Sequence, residues 1–139
     1  MAKYEHLPVY KKAMELSTYL HELVRNFSRY HKYSIGSDMR QMSFDIIKLI
    51  ITANSEENKE PVLKNLVIHC EMIKNMLILA KDIKAFQNFS SFQHAAGISV
   101  ALCKQSQGWL NSINKSQNYQ PPEKRVNKRA QNTVRPPRQ

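Results

Sequence analysis

Glycine is almost missing from this chain, with 3 in 139 residues, and most of its 6 prolines lie beyond Tyr119. So little turn chemistry through the middle excludes a many-stranded fold, whose short strands need frequent punctuation. Acidic residues are also scarce, 11 against 21 Lys and Arg, which gives a formal charge of +10 and a pI near 9.8. A surface this basic calls for an anionic partner: nucleic acid, an acidic protein or a membrane surface. No apolar run approaches the roughly 20 residues that cross a bilayer, so no membrane-spanning segment is expected. Cysteine is limited to Cys70 and Cys103, both inside apolar helical patterns. With no secretory signal at the start, a reducing, cytoplasmic compartment and free thiols are expected.

The usual sequence supports of catalysis are absent too. The five histidines, His6, His21, His31, His69 and His94, form no HExxH pattern, and none follows a Glu at the spacing that di-iron bundles use. There is no glycine-rich phosphate loop, no GxSxG elbow and no CxxC. A non-enzyme without metal or cofactor is the expectation.

Helical periodicity is what remains, and there is much of it. Pro8 can open a first helix whose apolar face runs Tyr10, Ala13, Ser17, Leu20, Val24 and Phe27, widened by Leu16 and Leu23. A second begins after Gly36, with Ser37 or Asp38 as its cap, and carries Met39, Met42, Ile46, Leu49 and Ala53, joined by Ile47 and Ile50. The third, with Pro61 in its first turn, places Leu63, Leu66, Cys70, Ile73, Leu77 and Ala80 at alternating steps of three and four, a seam for antiparallel packing. Val62, Val67, Met76, Leu79 and Ile83 add apolar surface beyond that seam, more than one antiparallel partner covers, which points to either a four-helix core or a subunit contact. A fourth helix, capped by Ser90 or Ser91, extends to about Ile113; Trp109 reads as a core or interface anchor near its end, and Gly97 implies close packing of another backbone. The expected fold is all-α, an antiparallel four-helix bundle over residues 1–114. A disordered basic tail is expected over 115–139, where two Pro-Pro pairs accompany seven Lys or Arg and one Glu.

Charge and rings concentrate in LVRNFSRYHKYSIGSDMR, Leu23 to Arg40. Arg25, Arg29, Lys32 and Arg40 alternate with Phe27, Tyr30, His31 and Tyr33, a mixture suited to phosphate contact and base stacking, or to a plain solvated connection. The tyrosines can serve packing or stacking. With Lys11 and Lys12 in the body and Lys124, Arg125, Lys128, Arg129, Arg135 and Arg138 in the tail, these are the candidate nucleic-acid-binding residues. The candidate oligomer interface is Val62, Val67, Met76, Leu79, Ile83 and Trp109.

The text YEHLPVYKKAMELSTYLHELVRNFSRYHKYSIGSDMR, with the later LAKDIKAFQNFSSFQHAA and QSQGWLNS, resembles the accessory variability determinant (Avd) family of diversity-generating retroelements. It is also similar to the related four-helix proteins encoded in intervening sequences of ribosomal RNA genes. Ser28 stands where the family pattern has proline, and Ser34 where threonine is usual. The resemblance implies a small non-catalytic accessory protein that forms a homopentamer, binds the element's reverse transcriptase and template RNA, and supports mutagenic cDNA synthesis. The residues by themselves leave open a protein-interaction adaptor that touches no nucleic acid.

Overall fold

A computed structural model describes residues 3–117, so the six candidate tail cations lie outside the described residues. Pro8 occupies the first turn of α1 (Pro8–Arg25), where its missing N–H removes no bond, behind a 3-10 turn at Tyr4–His6. The basic connection contains a single-turn helix, α2 (Arg29–Lys32), and Ser28 caps it by accepting the His31 N–H at 3.4 Å. Three long helices follow: α3 (Ile35–Ser55), α4 (Glu60–Asp82) and α5 (Phe89–Gln117). α1 packs on α3 and α5, and α4 packs on the same two, so the four long helices close into an antiparallel bundle. No described helix is long and apolar enough to cross a membrane.

The core follows the helical stripes. Leu63, Leu66, Cys70, Ile73, Leu77 and Ala80 of α4 are all 0% exposed, so the three-four seam is the buried face of that helix. Leu16, Leu20 and Val24 of α1, Met39, Ile46 and Ile50 of α3, and Leu102 of α5 meet it. Each such side chain contributes about 1.5–3 kcal/mol by leaving water. Two small polar pairs interrupt the hydrocarbon: Ser43 Oγ lies 3.0 Å from Ser17 Oγ between α3 and α1, and Cys70 Sγ lies 3.3 Å from Ser106 Oγ between α4 and α5.

The α1–α2–α3 and α4–α5 connections share one end of the bundle. Gln87 in the second donates to the Asn26 carbonyl in the first at 2.7 Å, and the Phe27 and Phe86 rings meet edge-on at 5.5 Å. At the opposite end Lys59 donates to the carbonyls of Ala53, Asn54 and Glu56 at 2.9, 3.1 and 2.8 Å, closing the C-terminus of α3. α4 ends differently. Ala85 N–H bonds the Ala80 carbonyl at 2.9 Å and Lys84 N–H bonds the Lys81 carbonyl at 3.0 Å, while Lys84 itself adopts φ 64. This left-handed terminus usually carries glycine, and a side chain there costs about 1 kcal/mol.

Several local expectations change. α3 begins at Ile35, ahead of Ser37 and Asp38, because α2 delivers the chain already turned; Gly36 is therefore inside the helix. Its role is proximity: a Cβ on Gly36 would lie 2.6 Å from Val24 Cγ1 and 2.9 Å from the His31 carbonyl oxygen. Asn88, rather than Ser90 or Ser91, caps α5, its Oδ1 accepting the Ser91 N–H at 2.8 Å. On α3 the buried row passes through Ser43, which meets Ser17 of α1 at 3.0 Å, instead of Met42 and Leu49, which are half-buried. α1 stops at Arg25, short of Phe27, and α5 runs on to Gln117. Gly97 has nothing within 4 Å of an added Cβ, so no backbone presses on it.

The two glycines consequently predict opposite outcomes for the same substitution. Gly36→Ala forces Val24 or the His31 backbone to move, and overpacking of about 1–3 kcal/mol outweighs the helix-propensity gain of about 1 kcal/mol. Gly97→Ala keeps that gain. Urea unfolding is expected to show a lower midpoint for the first variant and a higher one for the second.

Candidate nucleic-acid interface

Five lysines are matched to carboxylates on the helix flanks: Lys12 to Glu15, Lys48 to Asp45, Lys64 to Glu60, Lys74 to Glu71 and Lys81 to Asp82, at 2.8–3.8 Å. Such exposed pairs add at most about 1 kcal/mol each, but they cancel charge locally. Arg25, Arg29, Lys32 and Lys84 behave differently: among the described residues none has a carboxylate oxygen within 4.0 Å. All four belong to the end of the bundle where the basic connection and the α4–α5 turn meet. Six other described cations, Lys3, Lys11, Arg40, Lys59, Lys104 and Lys115, also lack a carboxylate partner among the described residues, so what distinguishes the pole is that four unmatched cations share one end.

The sequence candidates separate accordingly. Arg25 and Arg29 are exposed and Lys32 half-buried, all within the last turn of α1 and α2. Arg40 is tied into the fold, its half-buried guanidinium donating from Nη2 to the His21 carbonyl of α1 at 2.9 Å while Nε is enclosed without a partner. Lys11 and Lys12 sit roughly 20 Å back along α1 from Arg25, by helical rise, and Lys12 is held in its ion pair with Glu15. Tyr30 and Tyr33 are 77% and 73% exposed, so neither ring contributes to the core. Phe27 does, at 6%.

The α4–α5 turn supplies residues that sequence reading passed over. Phe89 is 59% exposed and stands beside Phe92, centroid to centroid 5.6 Å, while Lys81 Nζ lies 5.1 Å from the Phe92 ring centre. The signal was the alternation in KDIKAFQNF, the same mixture of cations and rings as in RNFSRYHKY.

A second surface runs along the outside of α4. Val67, Ile68, Glu71, Met72, Asn75, Met76 and Leu79 line a groove of about 480 Å³, in which Ile68, Met72 and Leu79 are exposed. Ile68 and Met72 were missed although they stand four apart in the helix. Val62, Val67 and Met76 are half-buried; Leu79 on this helix and Ile83 just past its end are exposed. Trp109 does not line that groove: it is half-buried in a separate pocket with Leu7, Pro8, Val9 and Gln105.

The bAvd-like family profile matches residues 7–113, which takes in all four long helices up to the last turn of α5. This chain belongs to the bAvd-like family. Membership groups it with the accessory proteins of diversity-generating retroelements, a non-catalytic family, as the resemblance in its sequence implied. A comparison with curated proteins returns no match.

In this bAvd-like chain the thiols are part of the packing. Cys70 and Cys103 are free, and Cys70 Sγ lies 3.3 Å from Ser106 Oγ between α4 and α5. The neighbouring Cys70 thiol, with burial, pushes the Cys103 thiol up, and the proximity of Cys103 lowers Cys70 against the opposing effect of burial. A thiol held protonated this way is a poor nucleophile. On the outer flank of α4 a hydrogen bond from Lys74 lowers the exposed Glu71 carboxyl.

The contrast between Arg40 and Arg29 is measurable in the unfolding of the protein itself. Arg40→Gln loses a charge-assisted bond to α1 and is expected to lower stability by about 1–2 kcal/mol, whereas Arg29→Gln, fully at the surface, is expected to stay within about 0.5 kcal/mol of the parent. Thermal denaturation of the two variants decides it.

Proposed function

We propose that the protein is a non-catalytic accessory subunit of a diversity-generating retroelement. It binds template RNA and its cDNA through the cationic pole and holds the reverse transcriptase to that nucleic acid during mutagenic cDNA synthesis. The observation that carries this reading is the grouping of Arg25, Arg29 and Lys32 without carboxylate partners beside exposed tyrosines. Cations left uncompensated at one pole attract phosphates and release their counterions, a contribution that is independent of sequence. Family membership supports the retroelement context.

Assembly is a second element of the reading. The outer face of α4 exposes Ile68, Met72 and Leu79, and a groove of about 480 Å³ on the far side of the bundle is lined by Met14, His21, Arg25, Phe44 and Ile47 among others. Two different apolar surfaces on opposite sides of one protomer suit a head-to-tail contact, which closes into a ring when the rotation permits. A homo-oligomer built through α4 follows, and five copies is the number that the family resemblance suggests.

RNA affinity is expected to fall steeply with salt. Replacing Arg25, Arg29 and Lys32 together by Gln should reduce the slope of log affinity against log salt by about 2, at about 0.7 for each single-strand phosphate left unneutralised. Lys12→Gln should leave it nearly unchanged. A parent protein with no measurable affinity at low salt would instead favour the adaptor reading, in which the α4 groove meets a protein.

For the oligomer, light scattering at micromolar concentration is expected to report a multimer for the parent chain. The Ile68→Asp, Leu79→Asp double variant should be a folded monomer, since both side chains are half exposed and support no core contact that the seam depends on.

A further inference from the structure

The α4–α5 turn lies far in sequence from the basic connection, yet the fold sets the two side by side. Gln87 bonds the Asn26 carbonyl at 2.7 Å, and Phe86 meets Phe27 edge-on at 5.5 Å. From there ring contacts continue outward, Phe86 to Phe92 at 5.7 Å and Phe92 to Phe89 at 5.6 Å, ending on a ring that is more than half exposed. Phe89 is thus an aromatic surface backed by the core, its position settled before any partner arrives. Tyr30 and Tyr33 stand at the same pole, so three of the four strongly exposed aromatic rings among the described residues are there, Phe44 being the other.

Lys84 adds the second observation. It occupies the left-handed position that ends α4, where glycine is the relaxed choice, and it has no carboxylate partner among the described residues. Backbone strain retained at a position that a smaller residue would relieve points to a use for the side chain. Here that side chain is an exposed ammonium in the same turn that carries Phe89.

We infer that the α4–α5 turn and the basic connection form one composite platform for unpaired bases, with Phe89 and Tyr30 stacking on bases while Lys84, Arg25 and Arg29 hold the flanking phosphates. The inference rests on the nucleic-acid reading of the pole and narrows it to single strands. A duplex buries its base faces against one another, so exposed rings add nothing to duplex binding, whereas a single strand offers a face at every nucleotide. The cations alone would serve either form.

Three variants of the full chain test this, each titrated with an unstructured RNA strand of about 20 nucleotides and with a duplex of the same length. Phe89→Ala and Tyr30→Ala are expected to weaken single-strand binding by about fivefold or more each and to leave duplex binding unchanged. Lys84→Gly is expected to melt no lower than the parent, because glycine relaxes the turn, yet to reduce the single-strand salt slope by about 0.7. That combination separates a missing phosphate interaction from a failure to fold. If the parent binds RNA but the aromatic variants lose nothing, or lose single-strand and duplex affinity equally, the platform is refuted while the electrostatic reading of the pole stands. If the parent binds neither probe, both fail together.

Discussion

The closeness of α1 and α3 governs where everything else in this protein can go. Gly36 leaves no room for even a methyl group between the two helices, with Val24 on one side and the His31 carbonyl on the other. Just over a turn further on, the Arg40 guanidinium reaches across to an α1 carbonyl. With the helices held so near, the connection between them cannot fold back into the interface. It is driven outward as a compact turn with α2 at its apex, and its cations and tyrosines face water because the inner space is already filled.

The same economy of space divides the surface into regions of different character. Along the flanks, lysines three or four residues from a carboxylate on the same helix leave little net field. At the pole formed by the two connections, such helical spacing is interrupted and the cations go unmatched. The outer face of α4 is neither: it is apolar, grooved and broken only by Glu71 and Asn75. The α4 groove shares none of its lining residues with the cations of the pole.

Legibility in the sequence followed the physics of repetition. The α4 seam could be read residue by residue because a buried helical face imposes its period on the chain, and Leu63 through Ala80 kept it without exception. Where a polar residue sits in the buried row, as Ser43 does against Ser17, the apolar row alone misplaced Met42 and Leu49. Gly36 was visible as a glycine, but its neighbours Val24 and His31 belong to the tertiary arrangement, so a turn was the natural reading. Arg40 carries the same charge whether it faces solvent or a carbonyl nineteen residues away. The contribution of the α4–α5 turn to the pole depends on antiparallel packing that joins Gln87 to Asn26, a pairing that no local window contains.

The two buried polar pairs have a further effect. Seams made of Leu, Ile and Ala are nearly indifferent to sliding, since a slip of one turn, about 5.4 Å, replaces one hydrocarbon contact by another. Ser17 with Ser43, and Cys70 with Ser106, break that indifference on two separate helix interfaces. A slipped bundle would take these partners from the Ser17 and Ser106 hydroxyls, at about 1–3 kcal/mol apiece, while Ser43 would keep its bond to the Arg40 carbonyl at 2.8 Å. Small polar atoms that add little to the stability of the native arrangement thereby penalise its near-isoenergetic alternatives, and the bundle settles in a single phase.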